Sequence, residues 1–204
     1  MSRFQTLRWI LLPIALVLAG CTAKQPADIS DVCAIFDGQP SWYKASNKAA
    51  SRWGTTVPVV MAIMHQESSF KANAKPPRTK ILWLLPGPRP ASAKGYSQAI
   101  DGTWDNYRKS SGRWRADRNN FKDAADFIGW YIDQSAKKNG IAKTDAEKLY
   151  LSYHEGQGGY AKGSYQSKPW LIKVAAKVGA QANVYSGQLK GCERRFKKRF
   201  FGWF

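Results

Sequence analysis

Histidine, cysteine and glutamate are all scarce in this 204-residue chain: it has two histidines, three cysteines and four glutamates. Two histidines and no paired-cysteine spacing leave no basis for a zinc site. His65 and His154 each lie near a glutamate but lack a ligand spacing, so no metal or other cofactor is expected. There is no glycine-rich phosphate cradle and no alternation of strands with helices, which argues against a nucleotide-binding sheet. No internal repeat is present. No apolar run reaches the roughly 20 residues that a transmembrane helix needs. Acidic residues are few as well: 14 Asp and Glu stand against 32 Lys and Arg, for a net charge of +18. The basic residues are spread along the whole chain, which reads as general attraction to an anionic matrix.

What is present begins with a leader. "MSRFQTLRWILLPIALVLAGC" has basic Arg3 and Arg8, a short apolar core and small residues before a cysteine, the plan of a secretory signal peptide. Leu18-Ala19-Gly20-Cys21 resembles the lipobox of bacterial lipoproteins, which implies lipidation of Cys21 as the mature N-terminus. By the same resemblance Thr22 after the cysteine favours the outer membrane over the inner. An export signal also argues against nucleic acid as the polyanion, leaving cell-wall peptides and anionic lipids. Losing Arg3 and Arg8 with the leader takes the charge to +16.

These boundaries give a signal peptide over 1–20, a lipidated tether over 21–32, one domain over 33–192 and a basic, aromatic tail over 193–204. Removing 20 of 204 residues leaves 184, enough for one core of ordinary size. Cys33 and Cys192 then form an even pair, read in an exported protein as a disulfide, with two separate buried thiols as the alternative. The tail "CERRFKKRFFGWF" suits either a membrane surface or packing onto the domain through its phenylalanines.

The domain reads as mostly helical. A helix from Ser41 stops at Gly54, and a second follows with Pro58 in its first turn. Residues 72–93 are proline-rich and read as a long loop. Thr103 and Trp104 lie near the start of the next helix. Apolar residues at 121, 124, 125, 128, 131 and 132 mark one face of another, stopped by Gly140. Thr144 and Glu147 have capping-box spacing before the next helix, which is followed by a glycine-rich turn. A last amphipathic helix starts near Trp170.

Glu67 ends the apolar stretch "VVMAIMHQESSF" and shares a helical face with Val60, Ile63 and Met64. A carboxyl carried into such surroundings resists ionisation and suits proton donation near neutral pH. The alternative is a helix that ends by Gln66, leaving Glu67 in a solvated turn.

"HQESSF", "GYSQAIDGTW" and "SYHEGQGGY" occur in this order. Together they resemble the catalytic domain of the soluble-lytic-transglycosylase (SLT) family, within the lysozyme-like superfamily, over roughly residues 57–170. The resemblance implies a single, mostly α, lysozyme-like domain, expected as a monomer acting on peptidoglycan glycan strands. It implies Glu67 as general acid and then base, cleaving the bond between N-acetylmuramic acid and N-acetylglucosamine to leave a 1,6-anhydro ring. Ser68 or Ser69 would bond to the glutamate or the sugar, Gln98 would offer its amide to an N-acetyl group, and Tyr153 would orient Glu67. For each of these a packing role is the alternative.

Tyr96 and Trp104 are candidates for stacking on sugars or for the core. A hydrolytic muramidase would need a second carboxylate, Asp101 or Glu155, each of which also reads as a cap or turn residue. A non-catalytic wall-binding lipoprotein would have no use for Glu67. The sequence departs from the family pattern in three places. Tyr96-Ser97 replaces Leu-Met and predicts a more polar cleft floor. His154 replaces Asn and would make activity pH-sensitive. The long loop, with Arg78, Lys80, Trp83 and Arg89, reads as a basic lip on the groove or as a plain surface insertion. The expected location is the periplasmic side of the bacterial outer membrane, held there by lipid.

Overall fold

The computed structural model describes residues 24–78, 80–81, 85–86 and 91–201. The leader, Cys21, Trp83 and Arg89 lie outside the described residues. Seven α-helices order the rest: α1 Val32–Gly38, α2 Pro40–Trp53, α3 Val57–Ser68, α4 Asp101–Ser111, α5 Phe121–Asn139, α6 Ala146–Ala161 and α7 Pro169–Phe201. A 3-10 turn, Ser164–Ser167, joins the last two. Within the long loop, β1 Lys80–Ile81 and β2 Leu85–Pro86 pair antiparallel, Lys80 opposite Pro86. The mostly helical architecture agrees with the lysozyme-like fold class.

Helix α3 is the centre. Every residue from Val57 to Met64 is buried. A helix that is apolar all round belongs inside a bundle, and α3 packs on α2, α5, α6 and α7. Its last turn ends at Ser69, in the left-handed region at φ 49°, whose amide donates to the His65 carbonyl at 2.8 Å. Helices α2 and α5 stop at Gly54 and Gly140, also left-handed, as their glycines predict.

Three boundaries differ from the sequence reading. Helix α1 was not expected; Asp31 caps it by accepting from the amides of Cys33 and Ala34. Helix α6 is capped by Asp145, which accepts from the Lys148 amide, and not by Thr144. The glycine-rich stretch after Glu155 is a kink at Gly156 (φ 74°), beyond which the helix continues.

The tail is a fourth difference. Helix α7 runs straight through position 192, so residues 193–201 continue the domain's last helix. Its buried stripe is Leu171, Ala175, Val178, Ala182, Tyr185, Leu189, Cys192 and Phe196, spaced alternately by four and three as one helix face demands. Phe196 packs on Phe36 at 5.6 Å and Tyr43 at 5.3 Å. Cys33 on α1 is disulfide-bonded to Cys192 across 159 residues of chain. Among the described residues no helix is long and apolar enough to cross a membrane.

Helices α2 and α5 meet at Gly129. A Cβ there would lie 2.6 Å from Cδ1 of Trp53 and 3.3 Å from the Ala49 carbonyl oxygen. The Trp53 ring cannot easily retreat, because its indole N–H donates to Asp126 at 3.2 Å. Asp126, itself buried, also accepts from Arg52 at 3.0 Å and from the Tyr107 hydroxyl at 2.8 Å. Gly129→Ala is therefore expected to destabilise the protein by about 1–3 kcal/mol through overpacking. The urea midpoint measures this, and an unchanged midpoint would refute the close-packed seam.

Candidate active site

A cleft of about 550 Å³ opens beside the end of α3. Its walls come from α3, α4, α5, α6 and both ends of the long loop, which contribute Pro76, Ala91 and Ala93. Of the residues singled out in the sequence, Glu67, Gln98, Tyr153, His154 and Glu155 line it. A second cavity of similar size, about 510 Å³ between α2, α3 and α7, takes its charge only from Lys190 and Glu193. Its one carboxylate, Glu193, is held by Lys197 at 2.8 Å and by the Tyr43 hydroxyl at 3.0 Å, so chemistry favours the Glu67 cleft.

Glu67 stands one turn beyond the buried run of α3, on the last turn of the helix. The helix does not end at Gln66, so the solvated-turn alternative falls. The side chain keeps part of its surface open to the cleft while protein surrounds the carboxyl. Burial raises its pKa from 4.5 to about 7, and a hydrogen bond from the Tyr150 hydroxyl pulls the other way. Desolvation dominates because the acid sits against apolar helices and has, among the described residues, no cationic partner to stabilise its charge. Tyr150, one turn before Tyr153 on α6, was overlooked in the sequence. Its one signal was the i, i+3 spacing that puts both tyrosines on one face.

Tyr153 takes a different part from the one expected. Its hydroxyl donates to the Ser97 carbonyl at 2.5 Å. It is therefore not Glu67's hydrogen-bond partner, though burial and then the nearby Glu67 charge push its own pKa far up. It ties α6 to the second motif and closes one side of the cleft.

The serines are spent on backbone geometry. Ser68 donates to the Met64 carbonyl at 3.2 Å and is buried. Ser69 is the left-handed cap, and its carbonyl accepts from the Gln25 side chain at 2.7 Å. Neither lines the cleft. Phe70 follows with φ 60°, which turns the chain so that its fully buried ring meets Trp42 at 5.9 Å.

The second motif also serves architecture first. Gly95 has φ 76°, and a Cβ there would come within 2.1 Å of the Arg118 carbonyl oxygen, so only glycine fits. Tyr96, 1% exposed, packs edge-on to Trp42 at 5.6 Å and Phe121 at 5.5 Å. Trp104 is equally buried. Both belong to the core and not to a sugar platform. Ser97 is buried too, so the expected polar floor is not there; Ile100, Phe127 and Tyr131 supply apolar wall instead. Gln98, at φ 47°, spends its amide nitrogen on the carbonyls of Ala74 and Gly95 at 2.9 and 2.7 Å. That NH₂ braces the loop and is not free for an N-acetyl group. Strained φ values at Ser69, Phe70 and Gln98 cluster around the cleft, as is common at functional sites.

The two spare carboxylates separate clearly. Asp101 lies outside the cleft, 63% exposed, bonded to Arg118 at 2.5 Å. Glu155 lies inside it. Its carboxylate accepts from Lys168 at 2.7 and 2.9 Å and from the Ser164 hydroxyl, and it meets His154 Nδ1 at 3.0 Å. The Lys168 hydrogen bond, followed by that of Ser164, lowers its pKa to about 2. The cleft thus holds one carboxyl that keeps its proton near neutrality and one that never has it. Among the described residues, no group of three His, Cys, Asp or Glu side chains converges as a metal site.

Comparison with known proteins adds one finding. The model of the family described as "Transglycosylase SLT domain" matches residues 9–192. No curated protein and no solved structure matches the chain.

The raised pKa of Glu67 has a stability consequence. The folded protein holds a proton that the unfolded chain releases above about 4.5, so stability falls as pH rises from there to about 7. Glu67→Gln removes this penalty. Relative to wild type the variant is expected to gain nothing of this kind at pH 4, and about 3 kcal/mol above pH 7. Urea unfolding at the two pH values measures it. A wild-type-to-variant difference independent of pH would show that Glu67 ionises normally.

Proposed function

The chain belongs to the transglycosylase SLT-domain family, and on that premise we propose that it cleaves peptidoglycan glycan strands without consuming water. The observation that carries this reading is Glu67, the one of the cleft's two carboxyls whose pKa is raised, to about 7. One group serving first as acid and then as base works best when its pKa lies near the operating pH. Protonated Glu67 gives its proton to the oxygen joining N-acetylmuramic acid to N-acetylglucosamine, and the bond to C1 breaks. The substrate's own N-acetyl group steadies the positive charge at C1. The Glu67 carboxylate then takes the proton of the muramic 6-hydroxyl, whose oxygen closes onto C1. The 1,6-anhydro product forms, the glutamic acid is restored, and atoms balance with no water added.

Glu155 supports this assignment by its commitments. Hydrolysis by two carboxylates needs a second one free to activate water or attack the sugar. Glu155 is held by Lys168 and Ser164. Tyr150 orients the Glu67 carboxyl in the role first given to Tyr153. The leader and lipobox support export and lipid attachment at Cys21, on the periplasmic face of the outer membrane. The positive charge suits an anionic wall.

Two measurements check the chemistry. Peptidoglycan digested in oxygen-18 water is expected to yield unlabelled anhydro-muramic ends, with the rate reduced by about 10²–10⁴ in Glu67→Gln. Labelled reducing ends would make the enzyme a hydrolase and return attention to Glu155. Tyr150→Phe removes the hydrogen bond that lowers Glu67's pKa, so the alkaline limb of the pH–rate profile is expected to move upward. A limb that stays in place would deny Tyr150 its link to the acid.

A further inference from the structure

Building on that reading, we propose that Trp170 is a sugar-stacking platform at the mouth of the cleft, extending the glycan site beyond the reacting bond. Trp170 is 55% exposed, although it stands at the start of α7 between two anchored residues. Lys168, on one side, is locked onto Glu155, and Leu171, on the other, is fully buried. The Lys168 amide also bonds to the Tyr165 carbonyl at 2.9 Å, closing the 3-10 turn. An indole left in solvent on a fixed backbone is prepared to bind at little entropic cost.

Its position joins it to the cleft. The ring lies 5.2 Å from that of His154, at 80° to it, and His154 lines the cleft. The two rings make an aromatic corner where the groove opens. A pyranose can lay its apolar C–H face on the indole while its hydroxyl and N-acetyl groups stay hydrated or reach His154.

This also gives the Glu155 cluster a purpose. The carboxylate binds Ser164 and Lys168, both on the segment that carries Trp170, and His154 on the cleft wall. Glu155 is thus a positioning residue that fixes the platform against the groove, and the sequence explains why. Where the family pattern has Asn, this chain has His154 and next to it an acid able to grip Lys168.

The test is binding of β-1,4-linked N-acetylglucosamine oligomers to the full chain by titration calorimetry, which needs no turnover. Trp170→Ala is expected to weaken a hexasaccharide about 5- to 10-fold while leaving a disaccharide unchanged, and Trp170→Tyr should retain most of the affinity. Because the side chain is exposed, the variant should keep the wild-type circular dichroism and urea midpoint. Equal hexasaccharide affinity in Trp170→Ala and wild type would overturn the platform, as would failure of the wild type to bind the oligomer. Failure of the anhydro chemistry shows separately, as labelled reducing ends from peptidoglycan with the Trp170 effect on oligomer binding intact.

Discussion

Desolvation of one carboxyl is the constraint around which the rest of the molecule is organised. Glu67 can hold a proton near neutral pH only if water and positive charge are kept from it. That requires α3 to be a core helix, buried from Val57 to Met64 and walled by four other helices. It also requires the helix to stop at once after the acid, so that the carboxyl reaches a cleft instead of the interior. The left-handed residues Ser69 and Phe70 make that stop, and Phe70's burial in the aromatic cluster holds it. The chain has more than twice as many basic as acidic residues, yet among the described residues no cation pairs with Glu67, while Asp126, Asp133 and Glu155 each have one or more. An ion pair at Glu67 would lower its pKa and remove the acid.

Much of this was readable in the sequence, for definite reasons. Helices α2, α3 and α5 announce themselves because apolar spacing and a stop signal coincide: Gly54 and Gly140 take the left-handed conformation that their position demands. Glu67 was legible because an acid at the end of an apolar run is chemically unusual. The motifs marked the right region, yet several of their residues do structural work. Ser68, Tyr96 and Gln98 build turns and core, while contact with the acid falls to Tyr150, which no motif marked. Motif spacing identifies a neighbourhood; only three-dimensional packing says which hydroxyl points into it.

The misread segments share a cause. Helix α1 is seven residues long, too short for a periodic signal, and depends on the Asp31 cap and on packing against α7 for its existence. The last turns of α7 were hidden by composition. Their Arg and Lys residues set them apart as a basic tail suited to a membrane surface or to the domain alike, although Cys192 and Phe196 continue the same alternating stripe as Leu171 to Leu189. Charge at exposed positions says little about whether the intervening ones are buried. The kink at Gly156 likewise looks like a turn in the sequence because two helical pieces meet at a single left-handed glycine.

The proton on Glu67 is the central claim, and it can be watched directly. Carbon-13 labelling of the glutamate side chains followed by NMR titration, with Glu67→Gln to assign the resonance, reads the pKa of this one carboxyl among only four glutamates. The account predicts a midpoint of about 7. A midpoint near the ordinary glutamate value of about 4.3 would contradict it, because Glu67 would then be a carboxylate with no proton to give at neutral pH.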